Sequence, residues 1–230
     1  MKKYLIFGFT FTCIWFLSAC KKEDKSLKID DSTLAYFPID SGLTRYYQID
    51  SVYWDDFAQI RDTISYELKE VIAGSFFDLT GRWAQRIESF KKNQQDQWII
   101  YQVGSSHRNN QWAESVENNI RILKLVFPAV SGISWNGNIY NTQNPQKFEY
   151  LTVGVPDTTD FFVFNETIKV QEDDEPSNNI YDLYGEEKYA KNIGLYYRII
   201  SDLEFNPSGM PTIDTIAGYI YTEKLIAYTP

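Results

Sequence analysis

Few side chains in this 230-residue chain are suited to act as nucleophile, general base or soft metal ligand. There are two cysteines, Cys13 and Cys20, and one histidine, His107. A Ser-His-acid triad would have to use His107. It stands in the polar run Ser105-Ser106-His107-Arg108-Asn109-Asn110, with no Gly-x-Ser-x-Gly elbow nearby. A lone loop histidine reads as a surface residue, and a zinc site lacks the ligands it needs. No glycine-rich phosphate loop or dinucleotide fingerprint is present. Carboxylates are the exception. The chain has 31 acidic residues, enough material for a two-carboxylate glycan hydrolase, but no pattern picks out the pair. Glu172-Asp173-Asp174-Glu175 offers oxygen ligands without the spaced Asp-x-Asp-x-Asp-Gly order of a calcium loop. Pro176 follows directly, so the segment reads as an exposed acidic turn. The expectation is no catalytic residue, no metal and no cofactor.

The chemistry that does stand out is at Cys20. Lys2 and Lys3 precede an apolar run from Tyr4 to Leu17, and Leu17-Ser18-Ala19 leads into the cysteine. A basic start, a short apolar stretch and small residues before a cut site make a secretory signal. Its 14 apolar positions fall short of the ~20 that a spanning helix needs. Leu-Ser-Ala-Cys resembles a bacterial lipobox, in which the thiol takes a lipid such as palmitate and the cysteine becomes the mature N-terminus. The alternative is an ordinary signal peptide cut after Ala19. The expected organisation is a signal over 1–19, a lipidated flexible tether over 20–34 and one domain over 35–230.

Removal of the leader changes what the rest can be. Lys2 and Lys3 leave with it, so 20 basic residues face 31 acidic ones, a net charge of −11. Such a surface repels phosphate backbones and anionic head groups, which excludes nucleic acid as a natural partner. Cys13 is lost and Cys20 is consumed, so the domain has no disulfide and no thiolate metal site. Its stability must come from its core, which a domain near 190 residues can supply. The tether, Lys21 to Thr33, is polar and aperiodic, with a root-mean-square span of roughly 20 Å.

From Tyr36 onward short strands alternate with turn residues. In Asp62–Ile72, Ile64, Tyr66 and Leu68 alternate with Ser65, Glu67 and Lys69, the period of a half-buried strand. Comparable runs are Arg45–Tyr53, Arg82–Phe90, Gln97–Val103, Asn119–Phe127, Lys147–Val155, Phe161–Gln171, Ile180–Tyr189, Leu195–Glu204 and Thr215–Tyr228. Gly104–Gln111 reads as a polar loop, and Ala113–Arg121 has room for a short helix. Seventeen tyrosines and 15 phenylalanines suit barrel walls and cross-strand pairs. The expected fold is all-β: an antiparallel meander of about ten strands forming a curved sheet or half-barrel. A two-sheet sandwich is the alternative.

Trp135-Asn136-Gly137-Asn138 is a tight-turn signal carrying an indole and two amides. Sugar rings stack on aromatic faces and amides bond hydroxyls, so Trp135, Asn136 and Asn138 are candidate glycan contacts. The competing reading folds Trp135 back as a hydrophobic plug. Behind the lipid cysteine, Lys22-Glu23-Asp24 resembles the lysine-plus-two-acids signal that sends Bacteroidetes lipoproteins to the cell face of the outer membrane. A periplasm-facing anchor is the alternative. Asp-Ser/Thr triplets place Ser32, Ser51, Thr63, Thr158 and Thr215 in sites that resemble the O-glycosylation motif of exported proteins from that group. The same triplets also suit turn-to-strand chemistry.

Five stretches are similar to an uncharacterised family of Bacteroidetes outer-membrane lipoproteins. They are Tyr36-Phe37-Pro38 with Gly42 and Tyr47; Val116-Glu117-Asn118-Asn119-Ile120-Arg121; Lys124-Leu125-Val126-Phe127-Pro128; Trp135-Asn136-Gly137-Asn138; and Glu187 to Leu195. The resemblance implies a β fold in a Gram-negative outer membrane and brings no catalytic residues. The single histidine, the lack of a thiol in the mature domain and the absence of a nucleophile motif lead to the expectation of a non-catalytic binding or structural role, with a glycan or another envelope protein as partner. The alternative is a carboxylate-dependent glycan hydrolase or a glycan-binding accessory protein.

Overall fold

The computed structural model describes residues 31–175, 180–206 and 215–230. Twelve strands follow in chain order: β1 (Thr44–Asp55), β2 (Ile60–Phe77), β3 (Trp83–Lys92), β4 (Trp98–Arg108), β5 (Trp112–Glu117) and β6 (Ile120–Val126), then β7 (Ser134–Asn136), β8 (Lys147–Thr158), β9 (Val163–Glu175), β10 (Tyr181–Ala190), β11 (Gly194–Phe205) and β12 (Thr215–Thr229). They form one antiparallel sheet in the order β6-β5-β4-β3-β2-β1-β12-β11-β10-β9-β8-β7. The all-β meander expected from the sequence is therefore present as a single curved sheet, not as a two-sheet sandwich. β1 pairs with both β2 and β12, so the first and last strands lie side by side in the middle of the sheet.

That order leaves β6 and β7 as the two free edges, and the curl of the sheet brings them together. The Leu123 amide donates to the Gly137 carbonyl at 2.8 Å. Trp135 Nε1 donates to the Leu123 carbonyl at 2.9 Å. The Tyr150 hydroxyl donates to the Val126 carbonyl at 2.7 Å and accepts from the Val126 amide at 3.0 Å. Asn141 Nδ2 reaches the Arg121 carbonyl at 2.8 Å. Side chains thus satisfy edge groups that a ladder would otherwise pair, and the sheet is nearly closed into a barrel.

Two strands more than expected arise from local features. Ala113–Glu117, where the sequence left room for a helix, is part of β5. Pairing with β4 and β6 overrides a weak local preference. Asn118 and Asn119 (φ 50° and 62°) make the two-residue turn into β6, a conformation that asparagine tolerates. β4 runs on through Arg108, so Gly104–Arg108 is strand where a loop was expected. His107 is therefore on a strand, with Nδ1 2.6 Å from the Trp83 carbonyl oxygen. The other extra strand, β7, is only three residues long.

A 3-10 turn, Asp31–Tyr36, closes one end of the barrel. Its residues 31–34 are the stretch read from the sequence as the end of the tether, and Thr33 is buried there. Arg108 Nη1 donates to the carbonyls of Leu34 and Phe37, both at 2.8 Å. The Asn192 amide donates to the Ala35 carbonyl at 2.7 Å. Tyr36 sinks into an apolar cluster with Leu125, Phe148, Tyr150, Ile168 and Tyr189. A second cluster, around Tyr47, Ile49, Phe164, Tyr196 and Leu225, packs further along the wall. Among the described residues no helix is long and apolar enough to cross a membrane.

Candidate functional site

Strand register sets a row of charge across the inner wall. Arg198 on β11 stands opposite Glu187 on β10 and opposite Glu223 on β12. Opposite charges facing across a ladder attract, and here three strands share one cation. From the far wall, Lys124 on β6 and Glu117 at the end of β5 reach the same place. Lys124 Nζ lies 2.7 Å from Glu187 Oε1 and 3.5 Å from Glu172 Oε1. Arg198 Nε lies 2.6 Å from Glu187 Oε1. Its Nη1 is 3.6 Å from Glu223 and its Nη2 3.5 Å from Glu117. The Tyr189 hydroxyl also donates to Glu187, which is 0% exposed. Gly185 makes room for Glu172: a Cβ there would stand 2.8 Å from the Glu172 carbonyl oxygen. Nearby, Arg45 pairs with Glu70 and donates to the Ile193 carbonyl at 3.2 Å.

Five carboxyls (Glu70, Glu117, Glu172, Glu187 and Glu223) share this interior with three cations (Arg45, Lys124 and Arg198). Burial opposes every one of these charges, so the pairs decide which survive. At Glu187 burial pushes the carboxyl up, but Arg198 and then Lys124 outweigh it and hold it well below the ordinary value. Glu117 is treated the same way, with burial overcome by Arg198 and Lys124, and also lies low. Glu172 goes the other way, raised by burial and then by the Glu187 charge. Glu223 is pushed up to about 7 by burial, against Arg198 and with help from Glu70, Glu117 and Glu187. Glu172 and Glu223 are thus the two carboxyls of the cluster whose proton affinity burial raises on balance.

The cluster borders a cavity of about 390 Å³ inside the barrel, within the ~300–1,000 Å³ range of small-molecule sites. Phe37, Pro38, Tyr189 and Leu195 form its floor beneath the 3-10 turn. Arg45, Glu117, Lys124, Arg198 and Glu223 line its middle, and Tyr66, Tyr101, Tyr219 and Tyr221 its upper wall. Ser51, Ser89, Ser105, Ser106 and Ser115 add hydroxyls. The Lys91 ammonium sits 3.7 Å from the Tyr66 ring centroid. Among the described residues, no group of three His, Cys, Asp or Glu is placed to hold a metal ion.

The residues singled out from the sequence lie elsewhere. Cys20, Lys22, Glu23 and Asp24, with the leader, fall outside the described residues. Trp135 is half-buried, with ring centroids 4.6 Å from Tyr150 and 5.9 Å from Phe148. Asn136 Oδ1 accepts from the amides of Asn138 and Gln146, and Asn138 Nδ2 donates to the Asn144 carbonyl. All three side chains are engaged inside their own turn and the adjoining core. Ser32, Thr63 and Thr158 are exposed, Thr215 is half-buried, and Ser51 lines the cavity. Glu172, expected in an exposed acidic turn, is instead buried on β9, because β9 continues through Glu175. The side chains of Asp173, Asp174 and Glu175, and residue Pro176, are outside the described set.

The charged cluster is what sequence reasoning missed. Glu117, Lys124 and Glu187 do belong to stretches quoted for the family resemblance, but nothing local marks them as inward-facing. Lys124 sits between Leu123 and Leu125 at a shift of register, which turns an expected outward lysine into the wall.

No family model matches the chain, and no curated protein matches it. Two solved structures are similar. One, from Bacteroides fragilis, is described as an exported protein with a YmcC-like fold (12% identity, TM-score 0.45, 84% of this chain and 98% of that one). The other, from Parabacteroides distasonis, is described as a lipoprotein (13% identity, TM-score 0.44, the same coverage). Likenesses this distant carry no argument about activity or ligand.

Proposed function

We propose that the chain is a non-catalytic lipoprotein, anchored in the outer membrane through Cys20 on the cell-surface side, that holds a neutral glycan segment in its barrel. The observation that carries this reading is the cavity itself. Four tyrosines supply apolar ring faces, and five serines with Arg45, Lys124 and Glu117 supply donors and acceptors. Sugars need both kinds of contact at once. An interior with more carboxyls than cations, inside a chain of net charge −11, disfavours an anionic ligand. The test is calorimetric titration of the mature chain with neutral oligosaccharides released from cell-surface polysaccharide. Saturable binding is expected, lost in Ser89→Trp, which fills the cavity, provided its dichroism and melt match the wild type. Equal binding by that variant would place the ligand elsewhere.

One observation favours a second reading. Glu117 and Glu223 both border the cavity and have their proton affinities pushed apart, the arrangement that assigns base and acid in glycan hydrolysis. Yet Arg198 reaches toward both carboxylates. A base held by a guanidinium is poorly placed to take a proton, so binding is preferred. Turnover of a polysaccharide, abolished by Glu117→Gln, would reverse that preference.

A further inference from the structure

The meander puts alternate hairpins at opposite ends of the barrel. The end closed by the 3-10 turn also carries the β2–β3 and β8–β9 hairpins and the β6–β7 connection. These present apolar side chains to solvent: Phe77, Leu79 and Trp83 in the first, Phe161 and Val163 in the second, and Ile133 in the third. Leu79 stands at the tip, 108% exposed. Beside it the Phe77 and Trp83 rings pack at a tilt of 40° with centroids 4.0 Å apart. The charges of that hairpin are turned inward on each other. Asp78 accepts from the Thr80 and Arg82 amides, and Arg82 Nη2 lies 2.8 Å from Asp78 and 2.9 Å from Glu114. The tip is thereby left apolar.

Apolar side chains also stand out at the opposite end, where Phe57 between β1 and β2 is 102% exposed, so exposure alone does not choose an end. Chain length does. Ten residues separate Cys20 from Asp31, where the described chain begins at the closed end. As a coil they span roughly 18 Å, and fully extended no more than about 40 Å. A 12-residue strand such as β1 is about 40 Å long, or about 30 Å of barrel height once tilted. A lipid on Cys20 therefore lies beside the closed end. To seat the opposite end, the tether would have to run taut along the whole wall.

We propose that the closed end seats on the membrane, with Phe77, Leu79, Trp83, Phe161 and Val163 entering the boundary between head groups and acyl chains, and that the opposite end points away from the bilayer. The seat rests on the lipidation of Cys20 in the function proposed above. A net negative chain gains nothing from anionic lipids, so the contact is apolar, and Phe, Trp and Leu are the side chains that partition there.

The mature chain has no free thiol once Cys20 is acylated, so single spin labels can be placed cleanly. The full chain is made with its leader, and the mature form is reconstituted in phosphatidylcholine vesicles. Labels at Leu79→Cys, Val163→Cys and Phe57→Cys are compared for collision with oxygen and with a nickel chelate. Flotation with the vesicles reports the anchor. The expected result is flotation, with oxygen dominant at positions 79 and 163 and nickel dominant at 57. Flotation with nickel dominant at 79 and 163 overturns the seat and leaves the anchor standing. Failure to float overturns both.

Discussion

Removing a buried charge from this barrel should stabilise it. Glu223 is buried, and its carboxyl titrates at about 7 against an ordinary value of 4.5. Between those two pH values the folded state holds a proton that the unfolded chain has released. Stability therefore falls as pH rises across that window, and the whole penalty is present above about 7. The gap corresponds to about 3 kcal/mol. Glu223→Gln mimics the protonated form at every pH and keeps the shape of the side chain. At pH 8 the variant should melt roughly 6–12 °C above the wild type, given the size of the domain. At pH 5, where Glu223 already carries its proton, the two melts should nearly coincide. Some pH dependence should remain in the variant, because Glu172 is raised in the same way. Thermal melts by circular dichroism at pH 5, 6, 7 and 8 measure all of this. A variant less stable than the wild type at pH 8 would show that the pair with Arg198 outweighs burial, and would refute the reasoning.

Glu187→Gln should do the opposite, costing about 3–5 kcal/mol at pH 7 because Lys124 and Arg198 lose their shared partner. That stabilisation is complete above the unfolded value near 4.5 and fades as pH falls toward the depressed folded one, so urea midpoints of variant and wild type should converge in acid. Tyr150→Phe unpairs both backbone groups of Val126 at the seam, for a loss of about 1–3 kcal/mol and faster amide exchange at Val126. Gly218→Ala puts a Cβ 2.0 Å from the Asp202 carbonyl oxygen at φ +113°, and should lower the urea midpoint by breaking the β11–β12 ladder.

The meander was legible because period-two alternation survives wherever one face of a strand meets the core, as in Tyr66 and Leu68. β5 was hidden because Ala113–Glu117 has no such alternation; its strand form comes from neighbours distant in sequence. The seam was equally silent, since it depends on Tyr150 and Trp135 reaching across to β6. The charged interior was hardest to foresee. A glutamate or lysine inside a strand reads as outward-facing, and only register reveals that Glu187, Arg198 and Glu223 share one inner row. Glu172 shows the same limit: four consecutive acids suggest solvent, yet the first of them is buried. For Trp135 the sequence leaves glycan contact and hydrophobic plug open, because its aromatic neighbours, Phe148 and Tyr150, are supplied by β8.

The central claim is that the barrel interior is a ligand chamber. Its most direct test is amide and side-chain NMR of the labelled chain during titration with a neutral cell-surface oligosaccharide. The claim requires saturable shifts at Tyr66, Tyr101, Ser115, Glu117 and Arg198, with the outer wall undisturbed. Shifts confined to the outer wall or to the Trp135 turn, with the interior silent, would contradict it.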